Sequence, residues 1–126
     1  MNRKILIQNI AIVNEGKIFV ADILLFDELI QKIGNIKIDP NYQVIDGTGK
    51  HLFPGIIGGQ VHFRDPGLTH KGDLYTESKA AIAGGVTSFI DMPNTIPNVL
   101  TVEILKEKYD IASKKSLANY AFFLGV

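Results

Sequence analysis

Strand-like and helix-like segments alternate in the second half of the chain, and this order most constrains the fold. Apolar or β-branched runs at residues 56–63, 86–92 and 117–124 predict three strands. Helical patterns at residues 74–83 and from residue 101 onward separate them. Because the order strand–helix–strand–helix–strand is typical of βαβ units, it predicts a parallel sheet with helices packed on it. The fold class is therefore α/β.

Both predicted helices have recognisable boundaries. Asp73 is suited to cap the start of the first helix, and Gly84 and Gly85 form a stop signal at its end. Thr101 can cap the second helix. One face of this second helix is apolar and consists of Val102, Leu105, Tyr109 and Ala112. Its solvated surface is expected to carry the lysines, which are Lys106, Lys108, Lys114 and Lys115.

The first fifty residues predict β structure instead. Residues 14–17, Asn-Glu-Gly-Lys, form a turn signal between two β-rich runs, which predicts a hairpin, and another short strand is expected at residues 29–33. Short strands at this spacing are typical of a small sandwich or barrel. The pattern changes at Pro54. We therefore predict a β-sandwich segment at residues 1–53 and a separate α/β segment at residues 54–126.

The composition excludes several functional classes. Lys and Arg total 13 and Asp and Glu total 13, so no net charge attracts nucleic acid or an anionic membrane. The absence of cysteine excludes a disulfide scaffold, a CxxC redox site and a thiolate zinc site. No apolar run approaches the roughly 18 residues of a membrane span, and the start of the chain lacks the features of a signal peptide. We expect a cytoplasmic protein that binds neither nucleic acid nor membranes.

Polar and apolar residues alternate at the end of the first predicted strand of the α/β segment. Because successive side chains of a strand point to opposite faces, Gln60, His62 and Arg64 should share one face, and Val61 and Phe63 the other. Three polar side chains are unusual on the inner face of a buried parallel strand. Active sites of α/β barrels lie at the C-terminal ends of such strands. This stretch is therefore the candidate site.

Asn94 occupies the corresponding place after the next predicted strand, so two strand ends should present polar groups to one mouth. Neutral imidazole is a good zinc ligand, the Arg64 guanidinium matches a carboxylate, and the Asn94 amide can hold a carboxylate or an amide. These residues also have structural explanations. His62 can be a structural hydrogen-bonding residue, Arg64 can be an ordinary loop arginine before Asp65-Pro66-Gly67 that pairs with Asp65, and Asn94 can belong to a turn. The residue types alone leave the reaction open.

Three motifs give the chain a resemblance to one enzyme family. They are Leu-Phe-Pro-Gly-Ile-Ile at 52–57, Gln-Val-His-Phe-Arg-Asp-Pro-Gly at 60–67 and Ala-Gly-Gly-Val-Thr-Ser-Phe-Ile-Asp-Met-Pro-Asn-Thr at 83–95. With them, the chain resembles the N-terminal portion of the dihydroorotases of the amidohydrolase superfamily over essentially its whole length. The pairing of Arg64 with Asn94 separates this family from the hydantoinases. The resemblance implies the start of a TIM-type (β/α)8 barrel preceded by a small β-sandwich domain segment.

The resemblance also implies an activity. Dihydroorotases are zinc-dependent hydrolases of pyrimidine biosynthesis that reversibly convert the cyclic amide of dihydroorotate to N-carbamoyl-aspartate, with a metal-bound hydroxide as nucleophile. By this analogy His62 binds zinc, and Arg64 and Asn94 hold the carboxylate of the small-molecule substrate. The family's general base comes late in the barrel, so no catalytic residue is expected within these 126 residues. A homo-oligomer is compatible with the resemblance.

Gln60 departs from the family pattern, in which Asp-x-His-x-His is usual. It stands in place of the first metal-binding histidine, and an amide oxygen is a poorer zinc ligand than imidazole. Gly58 and Gly59 stand where a similar branch of the family carries two acids. Two alternatives therefore stay open. One is a non-catalytic dihydroorotase-like homologue that assembles with a partner of the pyrimidine pathway, and the other is a related cyclic amidase such as a hydantoinase or allantoinase.

The length gives one further expectation. A complete barrel of this type needs ~250 residues, whereas these 126 residues hold two βα units and a third strand. We expect the 126-residue chain to be part of an enzyme and to be inactive alone. With an open sheet edge and uncovered apolar helix faces, it should aggregate or remain partly folded.

Overall fold

The computed structural model describes residues 3–126, which form two compact units. The first unit ends at Pro54, and the second comprises Gly55–Val126. The strands of the first unit are β1 (Lys4–Asn14), β2 (Lys17–Phe26), β3 (Leu29–Gly34), β4 (Gln43–Asp46) and β5 (His51–Leu52). The elements of the second unit are β6 (Ile56–Val61), α1 (Leu74–Ala83), β7 (Val86–Asp91), α2 (Val102–Lys115) and β8 (Asn119–Phe122).

The first unit is one five-stranded sheet built on the predicted hairpin. The strand order is β3-β2-β1-β4, and β5 also pairs with β1. Asn14 pairs with Lys17 across a two-residue turn formed by Glu15 and Gly16. Both turn residues have positive φ angles, 49° and 72°, as a tight hairpin that follows the twist of its strands requires. The hairpin predicted from the sequence is confirmed.

A buried carboxylate supports an irregularity in β1. The pairing of β1 with β2 shifts between Ile7 and Ile10, where Asn9 adopts a φ of 56°. The two carboxylate oxygens of Asp22 accept hydrogen bonds from the backbone N–H groups of Asn9 and Ile36, both at 3.0 Å. Buried apolar side chains of this unit are Leu6, Ile10, Ile12, Ile23, Leu24 and Ile36.

Much of the remaining apolar surface of the first unit is uncovered. Ile18 is 68% exposed, Val20 69%, Leu29 71% and Ile30 63%. A β-sandwich buries such faces under a second sheet. The unit fits a β-sandwich-like domain of which this sheet is one layer.

The second unit is a parallel sheet in the order β6-β7-β8, as the βαβ pattern predicts. Helices α1 and α2 cover one face of this sheet. The buried apolar residues of that layer are Phe63, Leu74, Phe89, Ala112, Ala118 and Phe122. Together the two units make a mixed α/β structure, which confirms the predicted class at this level.

Helix α1 begins and ends where the sequence predicts. The Asp73 carboxylate accepts hydrogen bonds from the backbone N–H groups of Tyr75 at 2.8 Å and Thr76 at 2.9 Å, and the Thr76 hydroxyl accepts from the N–H of Asp73 at 3.3 Å. This capping box satisfies N–H groups that have no partner within the helix. The hydrogen bond from the Thr76 backbone is the main cause that lowers the pKa of Asp73 below its ordinary value. The helix ends at Ala83, and Gly84 is its C-cap.

Helix α2 is capped by Thr101 as predicted, but one of its lysines is buried. Lys108 is only 1% exposed, because the carboxylate of Asp91 at the end of β7 lies 2.8 Å from its Nζ. The expectation that Lys108 belongs to a solvated surface is therefore wrong. Ala112 is buried as predicted, whereas Val102 is exposed.

No helix within residues 3–126 has the length and hydropathy needed to cross a membrane.

Candidate active site

The end of β6 contains a β-bulge. Gly58 pairs with Phe89 and Val61 pairs with Asp91, so β6 has one residue more than β7 between these two pairs. A bulge of this kind redirects the side chains of the strand that carries it. The extra residue falls within Gly59-Gln60, the stretch at which the sequence places the candidate site.

The strand ends at Val61, and the predicted alternation holds only as far as Phe63. Val61 and Phe63 pack toward the helices as predicted, and Phe63 is buried. Arg64, however, adopts a left-handed φ of 65° outside the strand, and its carbonyl accepts a hydrogen bond from the N–H of Leu68. The chain turns at this residue, so the expectation that Arg64 continues the strand face of Gln60 and His62 is wrong.

His62 and Asn94 meet at the ends of two neighbouring strands. His62 directly follows β6, Asn94 comes three residues after β7, and Nδ1 of His62 lies 3.0 Å from Oδ1 of Asn94. Because an amide oxygen only accepts, Nδ1 is the donor in this contact, and in the neutral imidazole this leaves the lone pair of Nε2 free. The Asn94 amide nitrogen also remains available as a donor. The pair is solvent-exposed, so both groups are accessible to a ligand.

Arg64 is not paired with Asp65, which was one explanation that its position left open. The buried carboxylate of Asp65 lies 2.7 Å from Nζ of Lys115 in α2 and also accepts a hydrogen bond from the N–H of Leu74 at 3.3 Å. Among residues 3–126, the guanidinium of Arg64 forms no ion pair. Its charge is therefore available to an anion.

The loops that follow β6 and β7 are in contact through Gly67. This residue has a φ of 85°, and a Cβ atom there would collide with the backbone carbonyl of Ile96. The N–H of Ile96 donates a hydrogen bond to the carbonyl of Pro66 at 3.1 Å. Glycine is required here both for its backbone angle and for the close approach. Each loop thereby supports the other beside the His62–Asn94 pair.

The buried pair of Asp91 and Lys108 lies directly behind these strand ends. Oδ1 of Asp91 accepts hydrogen bonds from the N–H groups of Phe63 and Met92, both at 3.0 Å, and Nζ of Lys108 donates to the carbonyl of Met92 at 3.0 Å. This role of Lys108 was not predicted from the sequence. The signal for burial in the sequence was that Lys108 lies four positions before Ala112, on the same face of the helix.

Gln60 lies in a separate place. It lines a shallow cleft of about 340 Å³ together with Gly59, Met92, Pro93, Phe123 and Leu124, at the same end of the sheet. His62, Arg64 and Asn94 do not line this cleft. Of the four predicted site residues, the structure thus joins His62 to Asn94 directly. Gln60 and Arg64 are neighbours of His62 in sequence, and within residues 3–126 neither forms an ion pair with the His62–Asn94 pair.

The residues that the structure describes do not make a complete metal site. Within residues 3–126, no three His, Cys, Asp or Glu side chains come together as ligands. His62 offers one imidazole nitrogen and Gln60 one amide oxygen, whereas a zinc site takes at least three protein ligands. The donor set described here is thus insufficient for zinc by itself.

Curated proteins that are similar to this chain include dihydroorotases, although no family model matches the chain. A curated dihydroorotase of Carboxydothermus hydrogenoformans is 44% identical over 103 residues, which cover 79% of this chain and 24% of the relative. A dihydroorotase of Methanosarcina mazei is 37% identical over 121 residues, which cover 95% of this chain and 26% of the relative. The chain therefore spans about a quarter of the length of these curated relatives.

Solved structures with a similar fold come from the same superfamily. The L-hydantoinase (dihydropyrimidinase) from Arthrobacter aurescens superposes with a TM-score of 0.90 at 30% identity and covers 99% of this chain, which matches 28% of that enzyme. The dihydropyrimidinase from Brevibacillus agri gives a TM-score of 0.84 at 30% identity, over 98% of this chain and 27% of that enzyme.

Proposed function

This chain is a homologue of the dihydroorotases and a structural relative of the hydantoinases, and from that premise we propose that it forms part of a cyclic amidohydrolase. In this proposal, residues 1–53 contribute to a small β-sandwich domain and residues 54–126 begin a (β/α)8 barrel. The parallel order β6-β7-β8 with covering helices supports the barrel assignment. The complete enzyme is a cytoplasmic hydrolase of C–N bonds in cyclic amides.

The proposed substrate is dihydroorotate, which the enzyme opens reversibly to N-carbamoyl-aspartate in pyrimidine biosynthesis. The observation that carries this choice is the His62–Asn94 contact of 3.0 Å, together with Arg64, which follows His62 by two residues and has no acidic partner among the described residues. A guanidinium and an amide N–H group are complementary to the carboxylate that dihydroorotate carries. Higher identity to dihydroorotases than to hydantoinases also supports it.

Arg64, Asn94 and His62 each have a proposed role in the site. Arg64 binds the substrate carboxylate through its planar set of donors, and Asn94 donates to the same carboxylate from its amide nitrogen. The Asn94 oxygen meanwhile accepts the Nδ1 proton of His62, which fixes the orientation of the imidazole ring. The general base is proposed to come from residues outside this chain.

Zinc is the proposed cofactor, with His62 as one ligand through Nε2. Since the described residues offer too few ligands, the remaining ones must come from outside this chain. Whether Gln60 also contributes to zinc binding is tested by the same measurement. Elemental analysis of the full-length protein and of its His62→Ala and Gln60→Ala variants would show whether zinc binds and which of the two residues it needs.

The assay that tests the function compares two substrates with the purified full-length protein. We expect ring opening of dihydroorotate with a kcat/KM well above that for hydantoin, which has no carboxylate for Arg64. Turnover of hydantoin without turnover of dihydroorotate would identify a hydantoinase instead. Absence of both activities in a folded, zinc-loaded protein would support the non-catalytic homologue.

A further inference from the structure

Asp91 and Lys108 form a fully buried ion pair that reaches both strand ends of the candidate site. Nζ of Lys108 lies 2.8 Å from Oδ2 of Asp91, and each side chain is 1% exposed. The other carboxylate oxygen, Oδ1, accepts the N–H of Phe63 from the end of β6 and the N–H of Met92 from the end of β7. One carboxylate therefore joins two strands at the edge where the site lies.

Stability alone is a poor explanation for such a pair. Removing two charges from water is expensive, and apolar residues of similar volume often stabilise a protein as well or better. Lys108 is enclosed, since its Nζ also donates to the carbonyl of Met92 at 3.0 Å and lies 4.7 Å from the ring centroid of Phe122. The bonds made by this pair are directed at the backbone of the two strand ends.

These hydrogen bonds hold the backbone close to both residues of the His62–Asn94 contact. Phe63 lies between His62 and Arg64 in sequence, so its N–H group fixes the chain between two proposed site residues. Met92 precedes Asn94 by two positions, and its carbonyl accepts from Lys108. Its N–H is shared between Asp91 and the backbone carbonyl of Val61, each at 3.0 Å. A shift at either bond would move His62 relative to Asn94.

We infer that Asp91 is a positioning residue: its carboxylate oxygen holds the backbone at Phe63 and Met92, Lys108 holds the carboxylate, and the result is the His62–Asn94 contact. The role of this contact in binding metal and substrate rests on the proposed function. The contact itself can be measured without that function.

Two double variants of the full-length protein distinguish the effect of the hydrogen-bond acceptor at position 91 from the effect of the two buried charges. Asp91→Asn with Lys108→Met removes both charges but keeps an amide oxygen for the two N–H groups. Asp91→Leu with Lys108→Met removes both charges and the acceptor. Because each variant replaces the whole pair, neither leaves an unpaired buried charge. Thermal melting establishes that both are folded.

The first measurement is the tautomer of His62 in the metal-free full-length protein, taken from its imidazole ¹⁵N chemical shifts at a pH of about 8, where free histidine is neutral. Metal is removed with a chelator beforehand, because zinc bound at Nε2 would by itself keep the proton on Nδ1. We expect the wild-type protein and the asparagine variant to keep the proton on Nδ1, and the leucine variant to lose this preference. Hydrogen exchange at the amide of Phe63 should become at least about tenfold faster in the leucine variant, the effect of losing a bond to a charged acceptor. The amide of Met92 should change less, because it also donates to the carbonyl of Val61 at 3.0 Å.

Asp22→Asn is the control. Asp22 is also a buried carboxylate that accepts two backbone N–H groups, but it lies in the first unit, so its substitution should leave the His62 signals unchanged. A leucine variant with the wild-type tautomer would overturn the inference. An asparagine variant that loses the wild-type tautomer would also overturn the inference. This second outcome can be read even if the leucine variant does not fold.

Dihydroorotate turnover is measured in parallel. We expect kcat/KM to fall in the leucine variant and to be largely retained in the asparagine variant. If the wild-type protein does not open dihydroorotate, the proposed function fails, whereas the His62 signals still decide whether Asp91 positions the contact.

Discussion

Nδ1 of His62 and Oδ1 of Asn94 lie 3.0 Å apart although 32 positions separate the two residues in sequence. Each follows the C-terminal end of a parallel strand, β6 or β7, and these neighbouring strands end at the same edge of the sheet. The contact orients the imidazole so that Nε2 is free, and it leaves the Asn94 amide nitrogen as a donor. A site that depends on this arrangement should respond to changes in either partner.

Replacing Asn94 tests the contact directly. Asn94→Ala removes both the acceptor for His62 and a donor for the substrate, and we expect kcat/KM for dihydroorotate to fall by about 10- to 100-fold, the usual effect of losing an orienting partner. Steady-state kinetics of the full-length enzyme measure this loss. Asn98→Ala is the matched control, since Asn98 is an exposed asparagine of the same loop. Equal activity of the two variants would remove Asn94 from the site.

Arg64 is expected to act through its charge and its planar geometry. Arg64→Ala should lower kcat/KM for dihydroorotate by roughly 10- to 100-fold, because a hydrogen bond to a charged group contributes about 1.5–3 kcal/mol. Arg64→Lys keeps the charge without the paired donors and should recover only part of the loss. Lys71→Ala, at an exposed loop cation, serves as the control. Near-normal turnover of Arg64→Ala would contradict the role in carboxylate binding.

Asp73 should make the stability of the second unit depend on pH in acid. Its pKa in the folded protein is lowered, chiefly by the Thr76 backbone hydrogen bond, so its contribution is present above the ordinary value of 3.8 and is lost as the pH falls through the folded value. Asp73→Ala should reduce the free energy of unfolding by about 1 kcal/mol at pH 7 and by less at pH 3.

Urea unfolding at the two pH values measures this difference. Asp73→Asn is the control, because asparagine also caps helices but does not titrate. An Asp73→Ala effect of the same size at both pH values would show that the ionised carboxylate is not the stabilising form.

Two glycines near the site should respond in opposite ways to alanine. Gly59 lies in β6 with open space where a Cβ would be, so Gly59→Ala should stabilise by about 0.5–1 kcal/mol through the lower entropy of the unfolded chain. Gly67→Ala should destabilise by more than that, since a Cβ collides with the Ile96 carbonyl and φ is positive. Thermal melting of both variants checks the sign, and stabilisation by Gly67→Ala would contradict the described loop contact.

The 126-residue chain by itself should associate. Val20, Leu29 and Ile57 are each more than two-thirds exposed, and uncovered apolar surface of this kind favours aggregation. We expect binding of a hydrophobic dye and a sedimentation profile of mixed oligomers, both reduced by Val20→Lys with Leu29→Lys. A monomer that melts in one sharp transition would refute this expectation.

Local signals in the sequence were sufficient for much of the fold. The capping residues Asp73 and Thr101 and the Glu15-Gly16 turn act through hydrogen bonds and backbone angles within a few positions, and all three are confirmed. Lys108 was misassigned because its partner, Asp91, lies on another element. A lysine among charged helical residues looks solvated unless that partner is known.

The candidate site was predictable only in part. The position of His62 and Asn94 after successive strands is visible in the sequence, and the structure brings them into contact. The bulge at Gly59-Gln60 is not visible in the sequence, because it depends on how β6 pairs with β7. The left-handed backbone of Arg64 is not visible in its residue type either. The roles of Gln60, His62, Arg64 and Asn94 in binding metal or substrate stay predictions.

The contact of Gly67 with Ile96 has a consequence for how such a site can diversify. Since a Cβ at Gly67 would collide with the Ile96 carbonyl, a replacement for either loop has to preserve this close approach of the two backbones. Transplanting a new specificity loop into this scaffold therefore means transplanting both segments as a matched set, and natural variants should change them together.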